Sequence, residues 1–337
     1  MIGQAIYISS FKKENVNQDV DFYFTSFHIE EEFNESYQLK VKELLTYLKE
    51  TNKKIIVDIS PRGILQLGYT SLLEFIEETK IDGIRFDFGY SEEEILEVSN
   101  QCLIAINAST MTYDSLQKLK NIPNLIAIHN FYPRPETGLD IEYLNQQNKM
   151  FHDLNIEVYA FISGDEMLRG PLYEGLVTVE KHRHLTPFNQ YLDLIENNID
   201  HVIIADPKIS NTQFEFIQTF IKENIICLNA DLDDEYHSLY NHVFTNRIDS
   251  PNTLIRLLES RQYATQGKFI KPNHCIERVK GSITIDNEKY LRYSGEIQIT
   301  KKDYPKNEKI NVIGYIRNTD LLNYVHRNQR FKLIKGA

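Results

Sequence analysis

Two aspartates, Asp58 and Asp87, sit at the ends of two short β-branched and aromatic runs, Lys54–Ile59 and Gly83–Phe88. Carboxyl pairs about 5–9 Å apart carry out glycoside hydrolysis, one giving a proton to the leaving oxygen and the other attacking or activating water. Neighbouring strands lie about 5 Å apart, so aspartates ending adjacent strands come within that reach. Crowding raises one carboxyl pKa and leaves the other ionised, which separates the two roles. Asp87 is the first candidate for acid/base, with Asp58 as its partner or positioning group. Arg85 shares a strand face with Asp87 by the period-two rule, so Arg85, Asp87 and Asp58 also fit a structural ion-pair layer.

Other chemistry-bearing side chains cluster just beyond similar runs. Asn107 ends one of them, and another leads into His129-Asn130-Phe131-Tyr132-Pro133-Arg134-Pro135-Glu136. His129 and Asn130 are adjacent, so in an extended strand only one of them faces the site. Buried and hydrogen-bonded is as good a reading of His129 as catalytic. Asn107, Asn130 and Tyr132 are candidates to hold a sugar, while Arg134, Arg169 and Arg183, with Lys208 nearby, are candidates for anionic groups. Asp206, before Pro207, is a third acidic candidate at the same rim, or a turn starter. His182 and His184 lack a carboxylate at ligand spacing, so no metal is expected. No Gly-x-Gly-x-x-Gly, phosphate-loop or Gly-x-Ser-x-Gly pattern occurs, which argues against nucleotide cofactors and serine hydrolysis.

These residues need a frame that presents strand ends on one side. Eight runs supply it: Ile2–Ile8, Asp21–Phe27, Lys54–Ile59, Gly83–Phe88, Cys102–Asn107, Leu125–Phe131, Ile156–Ile162 and His201–Asp206. Amphipathic stretches separate most of them, at Tyr37–Lys49, Leu72–Thr79, Ile141–Leu154 and Phe188–Asn197, with a last one at Asn211–Glu223. That alternation predicts a (β/α)8 barrel over residues 1–224, whose reacting groups project from the C-terminal strand ends. Lys12–Asn17 is too short and polar for a covering helix, so the first crossover is expected to be truncated. From residue 225 the rhythm changes. A helical-looking Asn252–Ser260 is followed by hairpin-like Ser282–Asp286, Gly295–Thr300 and Val312–Arg317, predicting a small β-rich domain over 225–337.

The formal charge of −11 argues against a nucleic-acid partner. It is unevenly shared: residues 225–337 hold 18 Lys and Arg against 13 Asp and Glu, leaving 19 against 35 in residues 1–224. An anionic ligand in the acidic barrel therefore needs a few gathered arginines. No run approaches the ~18 apolar residues of a membrane span, Met1–Ser10 has no leader pattern, and Cys102, Cys227 and Cys275 form no pair. A cytoplasmic protein with buried, reduced thiols is expected.

Asp58-Ile59-Ser60-Pro61, Gly83-Ile84-Arg85-Phe86-Asp87-Phe88-Gly89, Ile106-Asn107-Ala108-Ser109, His129-Asn130-Phe131-Tyr132-Pro133 and Gly175-Leu176-Val177-Thr178-Val179-Glu180-Lys181-His182-Arg183 together resemble the MupG-type 6-phospho-N-acetylmuramidases. Tyr293-Ser294-Gly295-Glu296-Ile297-Gln298-Ile299 is similar to that family's C-terminal domain. The resemblance covers nearly the whole chain. It implies a TIM barrel followed by a cyclophilin-like β domain, and cofactor-free cleavage of the β-1,4 bond of 6-phospho-N-acetylmuramyl-N-acetylglucosamine in bacterial cell-wall recycling. The truncated crossover and Asp206-Pro207 depart from the family pattern. The rivals are a phospho-sugar aldolase or isomerase on the same barrel and a non-catalytic phospho-sugar binder. A Schiff-base aldolase is disfavoured because no lysine lies within a strand end, although Lys208 follows one closely.

Overall fold

The computed structural model describes residues 1–29, 32–87, 89–261 and 269–336. Phe88, the last residue of one expected strand, lies outside them. The chain divides into two compact units, residues 1–214 and 215–337.

In the first unit eight strands pair in parallel in chain order and the eighth closes on the first. They are β1 (Ile2–Ile6), β2 (Phe22–Ser26), β3 (Lys54–Ile59), β4 (Gly83–Phe86), β5 (Leu103–Asn107), β6 (Leu125–Ile128), β7 (Glu157–Ile162) and β8 (His201–Ile204). All eight expected strands are present. Between β1 and β2 only two single 3-10 turns form, Ile8–Ser10 and Lys13–Asn15, so the first crossover is truncated as expected.

The helices α1 (Tyr37–Glu50), α3 (Leu72–Thr79), α6 (Ile141–His152), α7 (Pro187–Glu196) and α8 (Asn211–Glu223) follow the amphipathic stretches. Three more, α2 (Pro61–Gln66), α4 (Glu92–Val98) and α5 (Tyr113–Leu119), are too short to show a full apolar period and owe their starts to local caps. Ser60 accepts the Gly63 N–H, Ser91 and Glu94 form a capping box, and Thr112 accepts the Ser115 N–H.

The barrel interior is filled by alternate residues of its strands. Phe22 and Phe24, Ile126 and Ile128, and Tyr159 and Phe161 point inward with Ala5, Ile56, Ala105 and Ile203. The rings meet edge to face, Phe24 on Phe161 at 5.3 Å and Phe131 on Phe161 at 5.1 Å between centroids. Small residues make room for them: a Cβ on Gly3 would sit 2.5 Å from the Phe22 ring. Aromatic layers thus plug the barrel below its C-terminal rim, and the next inward positions along each strand are the polar rim residues.

The second unit is a seven-stranded mixed sheet, in the order β10-β15-β9-β14-β12-β13-β11. Its members are β9 (Ile225–Leu232), β10 (Val243–Thr245), β11 (Leu254–Arg256), β12 (Ser282–Asp286), β13 (Ile297–Thr300), β14 (Ile310–Ile316) and β15 (Arg330–Lys335). A bridge from Asn246 to Leu257 joins the two edge strands and closes the sheet into a cyclophilin-like barrel. One expectation is corrected: Asn252–Ser260 is not helical but carries β11. Leu254, Leu257 and Leu258 imitate helical spacing, but the Leu254–Arg256 segment pairs with β13. The three cysteines are unpaired, and only Cys227 is buried; Cys102 and Cys275 are partly exposed.

Because Phe161 packs between two rings, Phe161→Ala is expected to cost about 3–5 kcal/mol, seen as a lower urea midpoint at unchanged slope.

Candidate active site

The C-terminal rim of the barrel encloses a cavity of about 1370 Å³, bounded by Asp58, Arg85, Asp87, Asn130, Tyr132 and Arg169 among others. Strand parity accounts for the first of these. Continuing inward from Ile56 reaches Asp58, from Gly83 reaches Arg85 and Asp87, and from Ile126 and Ile128 reaches Asn130.

Arg85, 3% exposed, ties the rim together. Its Nη1 donates to Asp58 Oδ1 at 3.1 Å, and its Nη2 donates to Asp87 Oδ1 at 3.4 Å and to the Asn130 side-chain oxygen. The other oxygen of Asp58 lies 3.1 Å from His28 Nδ1, which is also 3.1 Å from Ser26 Oγ. Burial would push the Asp58 carboxyl up, but Arg85 and His28 outweigh it and hold it below the usual carboxylate range. His28 answers in kind: burial pulls it down, and the Asp58 carboxylate more than restores it, so it titrates above an ordinary histidine. Asp58 is therefore an ionised anchor for Arg85 and His28.

Asp87 is the more open carboxyl, with 23% of its side chain exposed. Its Oδ1 accepts from Asn107 Nδ2 at 2.5 Å as well as from Arg85, and its Oδ2 has no protein partner among the described residues. Asn107 is 5% exposed and its own oxygen accepts the Ser109 N–H, so it fixes Asp87 rather than facing a sugar.

Several expected ligands have other duties. His129 has no exposed surface and turns its ring to Asn148 on α6. Asn130 N–H donates to Ser109 Oγ, whose hydroxyl reaches His129 Nδ1 at 3.2 Å, while His129 Nε2 reaches Asn148 Oδ1 at 2.9 Å. Asn148 Nδ2 donates onward to the Asn197 carbonyl. His129 Nε2 donates to the Asn148 oxygen, and burial pushes the ring down to about 4, which favours the neutral imidazole. His129 supports Asn130 from behind and does not move protons.

Asp206 also lies on the outward parity, next to inward Ala205, and is fully buried. Its carboxylate accepts backbone N–H groups of Gly164, Leu176 and Arg169 at 2.9–3.0 Å, pinning the loop after β7. That loop comes so close to the β8 end that a Cβ on Gly164 would lie 2.3 Å from the Lys208 carbonyl oxygen. Lys208 itself pairs with Glu166 at 2.5 Å.

Arg183 is 7% exposed and is likewise a clamp. Its guanidinium grips Glu180 at 2.6 and 2.7 Å and donates to the carbonyls of Tyr132, Arg134 and Gly175. Glu180 also accepts the N–H groups of Glu136 and Gly138. This knot fastens the Tyr132 loop to residues 175–183, and the Arg134 side chain stays exposed outside the cavity.

Arg169 is different. Its guanidinium carbon stands 4.1 Å above the Tyr7 ring, its Nε is buried without a hydrogen-bond partner, and it makes no ion pair among the described residues. Cation–π contact holds the charge while leaving its donors for an anion. No lysine lines the cavity among the described residues, and no three His, Cys, Asp or Glu side chains there group as metal ligands do. Also at the cavity, and not singled out from the sequence, are His28, two residues beyond inward Ser26, and Glu32 with Ser9. Parity reaches His28; nothing local marks Glu32.

A closed (β/α)8 barrel with a carboxylate and an unpaired arginine in one rim cavity is the framework of a glycosidase acting on anionic sugars. The family models named 6-phospho-N-acetylmuramidase, N-terminal and C-terminal, match residues 4–219 and 226–334, and the chain belongs to this family of peptidoglycan-recycling glycoside hydrolases. It is similar to a conserved protein from Enterococcus faecalis with an unknown function, 31% identical over 99% of this chain and 96% of that one, with a TM-score of 0.86. It is also similar to an uncharacterized B. cereus protein, 25% identical over 99% of both chains, with a TM-score of 0.78. No curated protein matches it. The substrate class is a small phospho-sugar, and among the described residues no helix is long and apolar enough to cross a membrane.

Four donors, the Arg183 guanidinium foremost, hold Glu180 down to about 2. A carboxyl depressed in the folded state stabilises fully above its unfolded pKa, and that stabilisation fades as pH falls through the folded value. Melting temperatures of wild type and Glu180→Gln should therefore converge as pH drops from about 4.5 to about 2 and stay apart above that window.

Proposed function

We propose that the chain hydrolyses the β-1,4 bond of 6-phospho-N-acetylmuramyl-N-acetylglucosamine in the cytoplasm, with Asp87 as acid/base and residues 1–224 as the catalytic domain. The observation that carries this reading is the pairing, in one cavity, of Asp87 and Arg169. Asp87 has one oxygen fixed by Arg85 and Asn107 and the other unengaged. Arg169 makes no ion pair among the described residues, and the Asp206 carboxylate near it is held by backbone N–H groups.

In this reading Asp87 Oδ2 hands its proton to the O4 of N-acetylglucosamine as the glycosidic bond breaks. Asp58 is a positioning residue: it keeps Arg85 and His28 in place and stays ionised. Arg169 takes the 6-phosphate, a dianion that suits a guanidinium with several free donors. Asn130 and Tyr132 stand along the same wall and hold the sugar. A Schiff-base aldolase has no support in a cavity without lysine.

Mass spectrometry of products from the phosphorylated disaccharide and its unphosphorylated form tests the reaction. N-acetylglucosamine should appear only from the phosphorylated one, and cleavage of neither would sink the assignment. Asp87→Asn should lower kcat about 10²–10⁴-fold with KM little changed. Arg169→Ala, losing charge-assisted hydrogen bonds worth about 1.5–3 kcal/mol, should raise KM for the phosphorylated substrate and erode the preference for it.

A further inference from the structure

Glycosidic hydrolysis by acid and base needs a second carboxyl group, and both oxygens of Asp58 are already engaged by Arg85 and His28. We propose that Glu32 is that second group, the base that activates the attacking water. This rests on the glycosidase reading of the cavity.

Glu32 lines the cavity and is 6% exposed. Its Oε1 accepts the Ser9 N–H at 3.0 Å and the Ser9 hydroxyl at 2.5 Å, which fixes the carboxyl in one orientation. Its Oε2 is buried and has no hydrogen-bond partner. A carboxylate oxygen buried without a donor is costly and rare unless something absent from the protein completes it. The nearby Tyr7 hydroxyl is in the same condition, fully buried and unpartnered, with its ring under Arg169. Glu32 Oε2, buried and unpartnered on a residue that lines the cavity, marks this side of the mouth as a place where a polar ligand sits.

The topology separates Glu32 from Asp87 around the rim. Ser9, which holds Glu32, follows β1, Glu32 follows β2, and Asp87 follows β4, three and two positions away around an eight-stranded ring. In the proposed reaction the two carboxyls act on different sides of the glycosidic bond of the disaccharide. In the step, the water oxygen bonds to the anomeric carbon while its proton passes to Glu32 Oε2. The bond from that carbon to O4 of N-acetylglucosamine breaks with its electron pair going to O4, which takes the proton of Asp87. Turnover leaves Glu32 protonated and Asp87 ionised, and one proton exchanged through solvent resets both.

The test is kinetics of the full-length protein on the phosphorylated disaccharide, comparing wild type with Glu32→Gln, Glu32→Ala and Ser9→Ala. Glu32→Gln should lose about 10²–10⁴-fold in kcat with KM little changed. Azide added to Glu32→Ala should restore turnover by forming the glycosyl azide. Ser9→Ala, which leaves the carboxylate in place but less fixed, should lower kcat about tenfold while the melting temperature holds, and it tests the idea even where the Glu32 variants fold poorly. A folded Glu32→Gln with kcat within tenfold of wild type, or an unchanged Ser9→Ala, overturns the assignment and leaves the acetamido group of the substrate in the second role. Failure of wild type to release N-acetylglucosamine is a different result, which removes the glycosidase reading itself.

Discussion

One buried guanidinium organises the barrel mouth. Arg85 bonds to Asp58, Asp87 and Asn130, contributed by three different strand ends, and none of these contacts could be dropped cheaply. Asp58 is 2% exposed, and a carboxylate at that depth is tolerated only beside a cation that also hydrogen-bonds it. The aromatic layers below keep water from reaching the group from inside, which strengthens each of these attractions. The division of labour between the two aspartates follows from depth: the deeper is saturated by fixed partners, and the shallower keeps an oxygen for chemistry.

A second tier of polar contacts lies outside the sheet. The run from Asn130 through Ser109, His129 and Asn148 to the Asn197 carbonyl links the rim to α6 and the end of α7, and each donor in it meets one acceptor. Such a run rigidifies only when complete.

The barrel was legible because parallel strands buried on both faces read as dense apolar runs, and eight of them in alternation with helices leave few topologies. Much of the site was legible for a related reason, since Asp58, Arg85, Asp87 and Asn130 all fall on the inward parity of their strands. The same parity turns His129 and Asp206 the other way, an inference available only once the inward residues of β6 and β8 are known. Arg134, Arg183 and Glu32 stand on loops, where no periodicity assigns a direction. Their positions depend on which distant segment each loop meets, as Arg183 meets Glu180 and Glu32 meets Ser9. In the second unit, leucines three and four apart imitated a helix at β11, because a three-residue strand is too short to display its own period.

The grip of Asp206 on the loop after β7 has a consequence for how this cavity diversifies. All three bonds go to main-chain N–H groups, which every residue except proline possesses. The path of the loop therefore leans on main-chain bonds at these anchors, with Gly175 at positive φ and Asp165 bonded to Ser210 adding to them in between. At the cavity-lining positions Met167, Leu168 and Leu172, which make none of these anchoring bonds, one wall of the cavity can be redressed by point substitution while the backbone anchors stay in place.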